Sequence, residues 1–225
     1  MNSVTLIGTI EPNAKGGLYI RDDDYFRFDL SVPRKSDVID HIPIMAHTHK
    51  LNRMSFVEMQ GKEIVVYGRL ISLKTVLGGK VRKVVHVLAD EIRFLTEEDK
   101  FESNNVVELS GIISDLPIYK VTKSKRSIAE MGLMNSISPD GVKQSYIEEN
   151  LDSRGPGEYT SVLPIICWGK NALRAKKFRY GDIITGVGRL QERKYTKNLD
   201  NGETVKRFTY EVSMSKIDKT GHSDI

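Results

Sequence analysis

Apolar and polar positions alternate along most of the chain, and the pattern occurs twice. Val4-Thr-Leu-Ile-Gly-Thr-Ile10 reads as a strand, and Val107-Glu-Leu-Ser-Gly-Ile-Ile113 repeats it with Gly111 on Gly8. Short pieces follow, Leu18-Tyr-Ile-Arg21 and Ile118-Tyr-Lys-Val121. Tyr25-Phe-Arg-Phe-Asp-Leu-Ser-Val32 puts Phe26, Phe28, Leu30 and Val32 on a core face and Tyr25, Arg27, Asp29 and Ser31 on a polar one. Its counterpart is Ser127-Ile-Ala-Glu-Met-Gly-Leu-Met134. His41-Ile-Pro-Ile-Met-Ala-His47 lines up with Val162-Leu-Pro-Ile-Ile-Cys-Trp168. A proline within each implies an edge or a bulge. Ile64-Val-Val-Tyr-Gly-Arg-Leu70 matches Ile184-Thr-Gly-Val-Gly-Arg-Leu190, with Gly-Arg-Leu identical. The fifth strands are Val84 to Ile92 and Phe208 to Ile217. In the last of these, Phe208 and Tyr210 alternate with Val212 and Met214 and read as core.

Helical spacing interrupts this pattern once per half. Leu51, Met54 and Val57 or Phe56 share a face over 50–59, and Ala172, Ala175 and Phe178 do so over 171–178. Gly61 and Gly181 follow as stop signals. Gly78-Gly79 and Asp200-Asn-Gly202 mark hairpin turns, and Asp22-Asp-Asp24 marks a turn between strands. Each half therefore reads strand, strand, strand, short helix, strand, strand. The expected class is mainly all-β: two tandem OB-folds, each a five-stranded Greek-key barrel with a short helix between strands three and four. The expected boundaries are 1–95, a charged linker over 96–104, and 105–219, with a long loop over 135–158 and a tail over 220–225.

Composition narrows the function. No run of about 18 apolar residues is present, so no membrane span is expected. The first residues lack the basic flank and apolar block of a signal peptide, and a cytoplasmic setting is expected. The single cysteine, Cys167, excludes an intrachain disulfide. Net charge is +4 and is uneven. Residues 1–103 hold 15 Lys+Arg and 15 Asp+Glu, and residues 104–225 hold 19 and 15. The excess, 19 − 15 = +4, lies in the second half.

The candidate chemistry is stacking beside cations. Trp168 ends an apolar strand and is followed by Gly169 and Lys170. Tyr195 lies among Arg193, Lys194 and Lys197 in a polar hairpin. Rings between cations suit bases with their phosphates nearby. Further candidate contacts are Arg69 and Arg189 at the ends of the fourth strands, Lys125 and Arg126 in a basic loop, Tyr25 and Arg27 on a polar strand face, Arg34 in the following loop, and His47. His41, His47 and His49 suggest a metal only weakly: two of them, spaced by one residue, could share a face, but spacing places no third ligand, and no metal or cofactor is expected. No nucleophile triad, phosphate loop or paired-carboxylate motif is visible, so the chain is not expected to be an enzyme.

Four stretches carry a resemblance. They are Asn2-Ser-Val-Thr-Leu-Ile-Gly8, Cys167-Trp-Gly-Lys170, Gly188-Arg-Leu-Gln-Glu-Arg-Lys-Tyr195 and Ala89-Asp-Glu-Ile92. In these the chain resembles the bacterial single-stranded DNA-binding protein family, once per half. The resemblance implies single-stranded DNA as partner, with base stacking by Trp168 and Tyr195. Half one has His47 and Thr75 at the matching positions. Family members with one barrel form tetramers, so two barrels per chain imply a homodimer. The family's acidic partner-recruiting tip has no match in Gly221-His-Ser-Asp-Ile225, and that role is not expected. The alternative is an OB-fold protein-interaction or primosome accessory module with weak DNA binding.

Overall fold

The computed structural model describes residues 1–10, 18–19, 25–47, 50, 56–77, 80–137, 152–155, 158–198 and 204–223. The start of the first predicted helix over 51–55, the turns at 22–24, 78–79 and 200–202, His49 and most of the predicted long loop lie outside them. The side chains of Tyr25, Thr75 and Lys197 do so too.

Half one contains β1 (Asn2–Thr9), β2 (Leu18–Tyr19), β3 (Tyr25–Pro33), β4 (Ile39–His47), α1 (Phe56–Met59), β5 (Glu63–Leu77) and β6 (Lys80–Phe94). Half two contains β7 (Asn105–Ile113), β8 (Ile118–Val121), β9 (Ser127–Ile137), β10 (Asp152–Gly155), β11 (Glu158–Trp168), α2 (Gly169–Ala175), β12 (Asp182–Asn198) and β13 (Thr204–His222). The ladder β3-β4-β6-β5-β1 closes where β1 meets β3, and β9-β11-β13-β12-β7 closes where β7 meets β9. Both are five-stranded barrels. In each, strands three and five run parallel, β4 with β6 and β11 with β13.

Local chemistry explains the closure. A Cβ on Gly8 would lie 2.4 Å from the Ser31 carbonyl oxygen, and one on Gly111 2.5 Å from that of Met134. Only glycine lets the crossing backbones approach so closely. Pro43 and Pro164 each sit one residue before the parallel ladder begins at Ile44 and Ile165. No ladder donor is lost there.

The halves are one sheet. β1 pairs antiparallel with β7, with Val4 opposite Val107. Equivalent contacts recur within each half and across the seam. Asn2 and Asn105 each exchange two amide hydrogen bonds with the backbone of Leu70 and Leu190 respectively. The Asp40 carboxylate accepts from the Glu192 N–H at 2.8 Å, and the Ser161 hydroxyl accepts from the Ser72 N–H at 2.7 Å. Asp40 and Ser161 occupy matching repeat positions, as do Glu192 and Ser72. Met45, Ile71, Leu73 and Leu88 of half one bury against Ile137 and Tyr159 of half two.

Several expectations need correction. β9 continues to Ile137 and β10 pairs with β11, so the predicted loop over 135–158 is partly strand. β13 runs past Ile217, and Gly221 and His222 pair with Ile183 and Asp182 rather than forming a tail. The second helix starts at Gly169, two residues earlier than its pattern suggested. Phe208 is 55% exposed and is not core. The β12–β13 hairpin outruns its barrel, so inward alternation there no longer means burial.

Asp182 fastens the end of β13. Its buried carboxylate meets Lys219 Nζ at 2.6 Å, His222 Nδ1 at 2.9 Å and the Arg179 N–H at 2.9 Å. Burial pushes its pKa up, but these partners outweigh burial and bring it down to about 2. A depressed carboxylate stabilises the fold above its unfolded value, near 4. That contribution is lost as pH falls towards 2. Asp182→Asn should therefore melt earlier than the parent at pH 7, and the difference should shrink between pH 4 and pH 2 in a thermal-melt series.

Candidate nucleic-acid interface

The outward face of half two runs across β8, β9, β11, β13 and β12. Trp168 ends β11 opposite Ile128 and is 39% exposed. Gly169 turns the chain there with φ +54°, a region that favours glycine. The Asn171 amide donates to the Ser215 carbonyl at 2.7 Å, and Arg174 donates to the Ile217 carbonyl at 2.9 Å. These bonds hold α2 on β13 and set the position of Trp168. Lys170 is exposed on α2.

Tyr195 lies on β12 opposite Arg207 and is 38% exposed. Strand alternation places it on the same face as Trp168. Cys167 is level with Met214 on β13, so Trp168 stands level with Ser215, eight positions from Arg207. At roughly 3.3 Å per residue, the two rings are on the order of 26 Å apart along the strand. They share a face without touching.

Charged groups lie between them. Arg193 donates to Glu211 at 2.9 Å and sits 3.6 Å from Glu130, which also binds Lys120 at 2.8 Å. Gln191 ties down the other Glu211 oxygen at 3.0 Å. A phosphate must compete with two carboxylates for Arg193. Arg189 is exposed and donates to Gln191 at 3.3 Å. Lys194, on the opposite side of the hairpin from Arg193 and Tyr195, is 3.4 Å from Glu192. Lys197 is described in its backbone only, opposite Val205. Lys125 and Arg126 are exposed in the β8–β9 turn, where Lys125 has φ +59°.

In half one the register sets Tyr25 opposite His47 and Arg27 opposite Met45. Arg69 lies 3.7 Å from Asp90. Arg34 is committed to the seam: it grips Asp40 with two bonds, 2.6 and 2.5 Å, and donates to the Glu192 carbonyl at 3.1 Å. These bonds raise its pKa. Asp40 at the centre of that clamp and Phe208 as a surface ring were not evident from the sequence. The signal for Phe208 was hairpin length, since the run of charges over 192–197 cannot be barrel core.

Burial raises the Cys167 thiol to about 12, which suits a packed side chain and not a nucleophile. Among the described residues no three His, Cys, Asp or Glu side chains gather as for a metal. No helix among them is long and apolar enough to cross a membrane.

No family model matches the chain, and no curated protein does. Solved structures do match. A crystal structure of the wild-type single-stranded DNA binding protein from Thermus aquaticus aligns with TM-score 0.69 at 18% identity, over 100% of this chain and 95% of that one. The chain shares its tandem OB-fold. A deletion mutant of the same Thermus aquaticus protein aligns with TM-score 0.69 at 19% identity, over 99% of this chain and 96% of that one. In this tandem OB-fold Trp168 closes strand three of the second barrel, and Tyr195 stands in the hairpin between strands four and five.

Proposed function

We propose that the chain is a non-enzymatic binder of single-stranded DNA that protects single strands in replication, recombination or mobile-element transfer. The observation that carries this reading is the pair of exposed rings, Trp168 and Tyr195, on one continuous sheet face flanked by cations. Stacking accepts every base, so sequence preference is low. Lys170, Arg189, Lys125 and Arg126 serve the phosphates on this face, and Lys194 does so from the other side of the hairpin. Half two carries most of the affinity, and His47, Arg69, Arg27 and Tyr25 of half one contribute less. The alignment with a single-stranded DNA binding protein over the whole chain supports the same reading.

Titration of the Trp168 fluorescence with oligo-dT at several salt concentrations tests it. The log–log salt slope should be about −0.7 for each phosphate neutralised. A flat salt profile would remove phosphate contacts from the account.

The protein is also proposed to be a homodimer carrying four barrels. Light scattering at micromolar concentration should give twice the chain mass of 25.4 kDa. A monomer at that concentration would refute the dimer.

A further inference from the structure

The Phe208 ring is an aromatic that the proposed function does not use. It stands on β13 opposite Lys194 of β12. Both belong to the side of the hairpin that carries Leu190 and Val212 into the barrel core, with Glu192 and Tyr210 between. Beyond the barrel this side leaves half two and reaches half one. There the Glu192 backbone is held by Asp40 and Arg34. Tyr210 is buried, and burial raises its phenol pKa, with the Asp29, Glu192 and Asp40 carboxylates adding to the rise and Arg27 opposing it. The hairpin thus lies against β4 at Asp40, through Glu192, whose pair with Tyr210 is the inner neighbour of the Lys194–Phe208 pair. The next ring out is Phe208, edge-on to Tyr210 with centroids 5.7 Å apart. It faces solvent, and its cross-strand neighbour Lys194 is 70% exposed. Arg27 is two positions along β3 from the Tyr25–His47 pair.

We infer that the β12–β13 hairpin of half two forms the second wall of the half-one DNA face, with Phe208 stacking on a base and Lys194 and Arg27 taking its phosphates. An exposed ring opposite a cation is a stacking platform of the kind Tyr195 makes on the other side of the same hairpin. The two sides would then serve two segments of one strand. This explains how half one can bind with histidine at position 47: the larger ring comes from half two. The inference rests on the single-stranded DNA reading.

The test is oligo-dT titration of the full chain and of Phe208→Ala, Phe208→Leu and Phe208→Tyr, each with a melting curve and light scattering. Phe208→Ala and Phe208→Leu should weaken binding about 5- to 150-fold, while Phe208→Tyr keeps it and the melting temperatures stay close to the parent. Phe208→Ala combined with Arg27→Ala should lose less than the sum of the single losses, because both hold the same nucleotide. Parental binding by Phe208→Ala, beside a weakened Trp168→Ala, would overturn this inference and leave the DNA reading intact. Parental binding by Phe208→Leu would rule out stacking. Additive losses with Arg27→Ala would place Phe208 on a separate path, and a shift to monomer would make it a contact between copies. A parent chain that does not bind oligo-dT would instead defeat the underlying reading.

Discussion

Trp168→Ala weakens oligo-dT binding by about 5- to 150-fold, the range of 1–3 kcal/mol that base–aromatic stacking loses on truncation to alanine. The ring is exposed at the end of β11, and the bonds from Asn171 and Arg174 hold α2 without it. The substitution should therefore leave the melting temperature close to that of the parent. Trp168→Phe keeps most of the affinity. Tyr195→Ala falls in the same range. His47→Ala costs clearly less, since a smaller ring stacks over less area. Fluorescence of a labelled oligonucleotide reads all four variants, because Trp168 is the only tryptophan. Parental binding by Trp168→Ala and Tyr195→Ala, with failure of His47→Ala, would move the main site to half one.

The second large effect is on stability. Asp40→Ala should cost about 3 kcal/mol, the low end for breaking a buried ion pair by removing one partner. Its carboxylate is 1% exposed and holds both Arg34 and the Glu192 N–H. Arg34 is 18% exposed, so some water can reach the stranded guanidinium and moderate the loss. Ser161→Ala breaks the matching contact in the other half, where both partners are neutral. It should cost about 1–2 kcal/mol, the penalty for an unsatisfied buried N–H. Urea unfolding of both variants checks the order. Equal losses would mean that the charge of Asp40 adds nothing to the seam.

The repeated strands were legible because alternation and the Gly-Arg-Leu repeat are local signals. Even the weak Ser127–Met134 run was found through its counterpart, and β9 begins at Ser127. Trp168 and Tyr195 were legible as rings among cations, and both are exposed. The β1–β7 pairing was not legible, since backbone hydrogen bonds between strands leave no side-chain signature. The charges over 192–197 marked a polar hairpin, but its reach was not carried across to Phe208 on the partner strand, although β12 runs to Asn198. Asp40 carried no signal in the sequence because its partners, Arg34 and the Glu192 backbone, meet it only after folding. Glu130 and Glu211, which restrain Arg193, were likewise invisible as neighbours.

The most direct test of the account is competition. A labelled oligo-dT bound to the parent chain is challenged with unlabelled single strand and with duplex of equal length at one salt concentration. Duplex base pairs are already stacked and cannot lie over Trp168 and Tyr195. The single strand should displace the label at much lower concentration than the duplex. Displacement by both at the same concentration would contradict it.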